Sequence, residues 1–233
     1  MEAVILAAGK GTRMHSKSPK VLHIVGNKPM LAHVIDSAES AGAKKINIVV
    51  GNDGKQVKDK IRSFTFQNKI SWVLQAEQLG TAHAVQKAIP HIGTKTRNEH
   101  ILVLYGDVPL IRPDTLRQLL ASTRANTIGI LTLITAKNRG LGRILRDESS
   151  EIIGIVEEKD ASDSQKEIQE VNSGIMALPV GQLESWFGRI ERNNQQSEYY
   201  LTDMVALAAA EKVAISSVVA NEMEVQGVND KSQ

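Results

Sequence analysis

Four times in its first half the chain passes from a short run of aliphatic residues into a segment with helical spacing: Ala3–Leu6 then Met30–Ala41, Ile46–Val50 then Gln56–Ile61, Ile70–Val73 then Thr81–Ile89, and Ile101–Leu104 then Asp114–Ala125. This alternation is the pattern of repeated βαβ units and predicts an α/β fold with a mostly parallel central sheet flanked by helices. Pro29 suits the opening of a helix and Gly42 its end, while Pro113 and Asp114 mark another start. Ile128–Ile134 reads as a further strand of the same sheet. Beyond it the pattern loosens into short strand candidates at Gly142–Leu145, Ile152–Val156 and Val171–Ala177 around the polar stretch Lys159–Glu170. We read residues around 138–178 as a smaller lobe laid over the sheet's edge, followed by helices at about Val180–Arg192 and Tyr200–Lys212 and a strand near Val213–Val219. The 233 residues suffice for one sizeable domain that buries roughly 70–75% of its unfolded surface.

In an open parallel sheet the ligand crevice lies outside the carboxyl ends of the strands. The chemically informative segments fall at that edge: Gly9–Arg13 after the first strand, Gln75–Thr81 after the third, and Tyr105-Gly106-Asp107 after the fourth. Gly9 and Gly11 let backbone N–H groups approach phosphate oxygens, and Lys10, Arg13 and Lys20 bring cationic donors to the same turn. The alternative is an ordinary strand-to-loop turn with solvated charges. Spacing excludes a Walker A loop, and Met14 occupies the place of the third small residue of a dinucleotide fingerprint.

Composition narrows the partners. Lys and Arg number 28 against 26 Asp and Glu, a net charge of +2, so no global field favours nucleic acid or a membrane surface. The 3% of aromatic residues is too thin for platforms that stack single strands. With no cysteine, disulfides, thiolate nucleophiles and Cys-ligated zinc are excluded, which fits a reducing compartment; we expect a cytoplasmic protein. Ala3–Ala8 fails as a secretory signal, and no stretch approaches the ~20 apolar residues of a membrane span.

Asp107 reads either as one carboxylate for a hard divalent cation, which needs only one or two protein oxygens, or as a turn residue before Pro109. Gly80-Thr81 opens a helix beside Gln75, an amide able to read a nucleobase edge, although Thr81 also reads as a simple N-cap. Six histidines, at 15, 23, 33, 83, 91 and 100, lack metal-ligand spacing and read as structural or surface residues. Glu157 belongs to a cluster with Glu158, Lys159 and Asp160 that also reads as solvated. Asn172-Ser173-Gly174 interrupts an apolar run, where a polar side chain and a glycine are out of place unless a ligand or another backbone approaches. There is no Gly-x-Ser-x-Gly elbow.

Taken together, Leu6–Met14, Pro19–Leu22, Gln75–Thr81, Tyr105–Leu110, Gly154–Ala161, Glu198–Asp203 and Glu224–Asn229 resemble the sugar-phosphate nucleotidyltransferases, most closely the uridylyltransferase part of the bifunctional uridylyltransferase/acetyltransferases. The likeness runs through nearly the whole chain in order. It implies a Rossmann-like nucleotidyltransferase domain over 1–229 and Mg2+-dependent transfer of UMP from UTP to N-acetylglucosamine 1-phosphate. The products would be pyrophosphate and UDP-N-acetylglucosamine, a precursor of cell-wall peptidoglycan and lipopolysaccharide. By motif, Leu6, Ala7, Ala8, Gly9, Gly11, Thr12, Gln75, Gln78, Gly80 and Thr81 would hold the nucleotide. Arg13 and Lys20 would meet the phosphates, Asp107 and Asn229 the metal, and Tyr105, Gly106, Gly142, Glu157, Asn172 and Thr202 the acceptor sugar.

Two departures from the family pattern are visible. Leu141 stands where members often carry Tyr, which implies an aromatic contribution lost near the sugar. Residues 230–233 read as the start of a truncated linker, where the bifunctional family continues into a left-handed β-helix. Without hexapeptide repeats, neither acetyl transfer nor trimerisation by that route is expected. Competing readings are a nucleotidyltransferase for another sugar 1-phosphate, such as glucose 1-phosphate with dTTP or UTP, and a non-catalytic nucleotide-sugar sensor. An NAD-dependent oxidoreductase is disfavoured, because Asp53, flanked by Gly51, Asn52 and Gly54, reads as a turn residue.

Overall fold

A computed structural model describes residues 1–9, 16, 18–67, 69–93 and 99–228. In chain order the elements are β1 (Glu2–Ala7), a 3-10 turn (Lys20–Leu22), the small hairpin β2 (Ile24–Val25) and β3 (Lys28–Pro29), α1 (Met30–Ser40), β4 (Lys45–Val50), α2 (Gly54–Ile61) and β5 (Lys69–Leu74). There follow α3 (Thr81–Ala88), β6 (His100–Tyr105), α4 (Pro113–Ser122), β7 (Ile128–Ile134), β8 (Arg143–Arg146), β9 (Ile152–Val156) and α5 (Asp163–Lys166). The chain continues through β10 (Glu170–Pro179), α6 (Leu183–Phe187), α7 (Asp203–Ala210), β11 (Ile215–Val219) and α8 (Glu222–Val225).

The central sheet has the order β11-β7-β10-β6-β1-β4-β5. β6, β1, β4 and β5 run parallel, as do β7 and β11, while β10 lies antiparallel between β6 and β7. The expected α/β architecture with a mostly parallel sheet is therefore present, a Rossmann-like fold. Alternate residues of β1 serve its two faces, as the two-residue period of a strand requires. Ile5 packs with Leu31 and Ile35 of α1 and Leu116 and Leu119 of α4. Val4 and Leu6 face Val85 of α3, Trp186 of α6 and Met204 and Val205 of α7.

The segment Val171–Ala177, read from sequence as part of the lobe, is the middle of a ten-residue strand that enters the central sheet. Its first residues pair with β7 and, at Val171, with Arg143 of the β8–β9 hairpin; its last residues pair with β6 and β7. The register shifts between Asn172 and Met176. That bulge accounts for the polar interruption: Ser173 Oγ donates to the Leu131 carbonyl at 2.6 Å, and the Asn172 amide oxygen accepts from Gly174 N–H at 3.0 Å. Gly174 has φ +88°, and a Cβ there would lie 2.6 Å from Tyr105 Cε2.

The predicted helix Val180–Arg192 is shorter than expected: a 3-10 turn at Val180–Gln182 leads into α6, which stops before Gly188. α7 begins at Asp203 rather than Tyr200, because Tyr199 and Leu201 commit their N–H groups to Leu79 and Thr81. No helix among the described residues is long and apolar enough to cross a membrane.

Candidate active site

β1, β4, β5 and β6 all deliver their carboxyl ends to one edge of the sheet. At that edge a crevice of about 390 Å³ is lined by Leu6, Ala7, Ala8, Gly9, Lys20, Gln75, Gln78, Gly80, Thr81, Tyr105 and Asp107, together with Val21, Ala84 and Glu198. A second pocket of about 170 Å³ is lined by Glu157, Asn172 and Thr202, with Met176, Gln196, Tyr200 and Leu201. Thr81, Tyr105 and Glu198 line both, so the two spaces adjoin. Segments distant in the chain are thus brought together much as the sequence predicts. Gly11, Thr12, Arg13 and Asn229 lie outside the described residues.

Lys20 is presented by a tight turn. Leu22 N–H donates to the Pro19 carbonyl at 2.9 Å and His23 N–H to the Lys20 carbonyl at 3.1 Å, while the buried Val21 and Leu22 anchor the turn in the core. Its ammonium forms an ion pair with Asp107, both side chains being shielded at 12% and 22% exposure. Asp107 therefore points its carboxylate at a cation across the crevice floor. Beneath it Gly106 is packed closely: a Cβ would lie 3.1–3.4 Å from Val21, Leu31 and Ala7. Val228 N–H, at the end of the described chain, donates to the Asp107 carbonyl at 2.9 Å.

Gln75 is 3% exposed. Its amide nitrogen lies 3.0 Å from the Gly80 carbonyl and 3.1 Å from His83 Nδ1, so the amide is held in one orientation. Burial, reinforced by Lys87, holds the His83 imidazole below its ordinary pKa; a neutral ring nitrogen then accepts from the Gln75 amide. His83, read from the sequence as structural or surface, thus fixes the Gln75 amide in the crevice wall, and its i+8 spacing from Gln75 across a turn gave no sequence signal. Gln78 donates to the Ala8 carbonyl, closing the crevice wall.

Thr81 is not an N-cap. Gly80 occupies that position with φ 114° and ψ 177°, and no side chain caps the helix. The Thr81 hydroxyl instead accepts from Leu201 N–H at 3.0 Å. Tyr199 N–H donates to the Leu79 carbonyl at 2.8 Å and Ala82 N–H to the Tyr199 carbonyl at 2.9 Å. Residues 198–202 are therefore strapped across the start of α3, carrying Glu198 between the two pockets and Thr202 into the smaller one.

In the smaller pocket Thr202 Oγ1 donates to Glu157 Oε1 at 2.9 Å. Burial pushes the Glu157 carboxyl above its ordinary pKa, the Thr202 hydrogen bond opposes this, and Asp160 adds to the rise. Gly142 lies against the same carboxylate: a Cβ there would stand 3.4 Å from each Glu157 oxygen, and its carbonyl accepts from Asn172 N–H at 2.8 Å. Tyr105 sits where the pockets meet, and burial with the charges of Glu157 and Asp107 raises its pKa, so it stays a neutral phenol. Leu141 lines neither pocket; it borders a separate cavity of about 270 Å³ with Ser173, Val225 and Gln226. Leu141 is thus set apart from the pocket that holds Glu157, Asn172 and Thr202. Sequence reasoning gave no role to Glu198, Tyr200 or Gln196, although Glu198 and Tyr200 fall in a segment singled out for its family likeness.

A crevice at the carboxyl edge of a parallel sheet, running on into a second polar pocket, has room for a nucleotide and its reaction partner end to end. This is the architecture of a nucleotidyltransferase. The chain belongs to the MobA-like NTP transferase domain family, whose model matches residues 3–192. It is 47% identical over 234 aligned residues to the bifunctional protein GlmU of Idiomarina loihiensis, an alignment covering all of this chain and 50% of that protein. The chain thus spans about half the length of that relative. In fold it is similar to UDP-glucose pyrophosphorylase complexed with UDP-glucose (TM-score 0.78, 19% identity, 96% of this chain and 95% of the other). Apo UDP-glucose pyrophosphorylase is equally similar (TM-score 0.78, 20% identity, 94% and 90% coverage). The family resemblance read from the sequence is borne out: the protein is a nucleotidyltransferase enzyme.

Proposed function

We propose that this domain transfers UMP from UTP to N-acetylglucosamine 1-phosphate, giving UDP-N-acetylglucosamine and pyrophosphate. The observation that carries this is the adjoining pair of pockets, with the Lys20–Asp107 pair in the larger and the Glu157, Thr202 and Asn172 cluster in the smaller. Ala8, Gly9, Gln75, Gly80 and Thr81 hold the uridine. Glu157 and Asn172 engage sugar hydroxyl and amide groups, with Thr202 orienting the carboxylate.

The acceptor phosphate is already nucleophilic at neutral pH and needs no strong base. The domain's task is to hold its oxygen in line with the α-phosphorus, which the strap over α3 serves by joining both pockets to one rigid segment. Lys20, with Arg13 from the phosphate turn, meets charge on the α-phosphate and the departing pyrophosphate. Asp107 offers a hard carboxylate oxygen at the crevice floor, already facing a cation, and so fits Mg2+, which takes one or two protein oxygens and leaves the rest to water and phosphates. Val228, hydrogen-bonded to Asp107, immediately precedes Asn229, which supports Asn229 as the second ligand. When bound, Mg2+ would supply further neutralisation of phosphate charge. The reading places the enzyme in the cytoplasm, supplying an amino-sugar precursor for cell-wall synthesis.

Pyrophosphate release across a panel of UTP, dTTP, N-acetylglucosamine 1-phosphate and glucose 1-phosphate tests it. Preference for the UTP and N-acetylglucosamine 1-phosphate pair is expected. Equal or greater turnover with glucose 1-phosphate would transfer the assignment to another sugar, and binding without pyrophosphate release would indicate a sensor.

A further inference from the structure

Arg143 is only 1% exposed, an unusual place for a guanidinium, and its contacts lie on one side of the site. Its Nη1 donates to the Leu141 carbonyl. Nε and Nη2 each lie 3.4 Å from the Lys166 carbonyl, at the end of α5. Nη2 is also 2.6 Å from the Glu158 carboxylate. Asn138 completes the arrangement by donating to the Lys166 and Ile168 carbonyls, both at 2.9 Å.

The residues touched are next to those of the smaller pocket. Leu141 precedes Gly142, Glu158 follows Glu157, and Gly142 binds the Asn172 backbone. Arg143 is also opposite Val156 in the β8–β9 ladder and Val171 of β10. The guanidinium therefore joins the turn before β8, the end of β9 and the end of α5, and the backbone pairing of Arg143 with Val171 and of Gly142 with Asn172 extends the arrangement to β10. None of its described contacts reaches Gln75–Thr81, Lys20 or Asp107.

We infer that Arg143 is a positioning residue for the acceptor pocket, acting through the Leu141 and Lys166 carbonyls and Glu158 to set where Gly142, Glu157 and Asn172 stand. The inference rests on the acceptor assignment made under the proposed function. A planar fork serves three acceptors at fixed angles, whereas a lysine ammonium at the same site cannot reach all of them at once. A buried arginine is also costly to desolvate unless its partners are well placed. Glu158 supplies the opposite charge, 2.6 Å from Nη2, and Arg143 with the Gly140 backbone holds its carboxyl below the ordinary range.

The test is Arg143→Lys, with Glu158→Gln as a second variant in which the partly exposed partner loses its charge and the buried residue is untouched. Steady-state kinetics are measured with UTP and N-acetylglucosamine 1-phosphate varied in turn, alongside thermal melting. Arg143→Lys should raise the KM for the sugar phosphate about tenfold, with the KM for UTP changed less than about twofold, as expected when misplacement is confined to one substrate. Glu158→Gln should move the same constant in the same direction by about threefold. The double variant should fall short of the product of the two single effects. A lowered melting temperature with both KM values unchanged, or an equal rise in both, would overturn the inference and leave Arg143 a structural residue only. If Arg143→Lys does not fold, an unchanged sugar KM in Glu158→Gln overturns it equally. A wild-type protein inactive with this substrate pair would instead overturn the proposed function, and this inference with it.

Discussion

Replacing Gly80 with alanine should damage both halves of the site at once. Gly80 sits at φ 114° and ψ 177°, a region open essentially to glycine alone, so any other residue carries about 1–3 kcal/mol of backbone strain. The added Cβ would lie 2.4 Å from the Tyr199 carbonyl oxygen and 2.7 Å from its nitrogen. These are backbone atoms and cannot rotate away. Relief requires the 198–202 strap to lift, which loosens the hydrogen bonds Tyr199 to Leu79, Ala82 to Tyr199 and Leu201 to Thr81. At about 1 kcal/mol net for each bond lost, the total with the strain is on the order of 4–6 kcal/mol, or roughly 10 °C or more in melting temperature for a chain of this size. Because the strap carries Thr202, kcat/KM should fall at least ~10²-fold for either substrate. Gly9 provides the control, since a Cβ there meets nothing within 4 Å, and Gly9→Ala should melt with the wild type. Scanning calorimetry and initial-rate kinetics on both variants decide the matter. A Gly80→Ala protein melting within about 2 °C of wild type with normal kcat/KM would refute the reasoning, as would equal destabilisation by Gly9→Ala.

Asp107→Asn, which keeps shape but removes charge, should lower turnover about 10²-fold or more; near-normal turnover at saturating Mg2+ would count against the metal assignment. Glu157→Ala and Asn172→Ala should each weaken the sugar phosphate more than UTP, and equal losses for both would mean that the acceptor pocket is misplaced. Asp203, half-buried and facing Glu157 and Asp160, has its pKa raised to about 6 from the ordinary 3.8, chiefly by burial. The folded state holds that proton more tightly than the unfolded one, so stability should decline as pH rises from about 4 through about 6 and stay lower above. Asp203→Asn should flatten this slope and gain on the order of 1 kcal/mol at neutral pH, after discounting for solvent screening. Melting temperatures of both proteins from pH 4 to 8 check it, and parallel curves would refute it.

The parallel half of the sheet was legible because β1, β4 and β6 are buried on both faces, β5 keeps the β-branched Ile70 and Val73 at the edge, and the helices carry ordinary punctuation. Ala3–Leu6, Ile46–Val50, Ile70–Val73 and Ile101–Leu104 each match an observed strand to within a residue at either end. Pro113 does open α4, and Gly42 does follow α1 with a positive φ of 101°. The loosened second half was less readable. β10 was placed in the lobe because it follows short strands around the polar stretch Lys159–Glu170, and nothing local in Val171–Ala177 tells a strand that bulges and enters the central sheet from one that stays in a lobe. The helix expected at Tyr200 begins later because Tyr199 and Leu201 commit their N–H groups to Leu79 and Thr81, partners more than a hundred residues away.

In the site, residue types and their edge of the sheet followed from the chain alone: glycines and a lysine after the first strand, a carboxylate after the fourth, a polar break in an apolar run. Those are local consequences of strand ends, backbone freedom and charge. The tertiary structure decided the pairings: Lys20 with Asp107, Thr81 with Leu201, Glu157 with Thr202, Arg143 with Glu158 and Lys166. Each joins segments whose proximity depends on how the sheet is ordered. Local sequence sets what a residue can do, but a hydrogen bond or ion pair exists only where packing brings the second partner within about 3 Å.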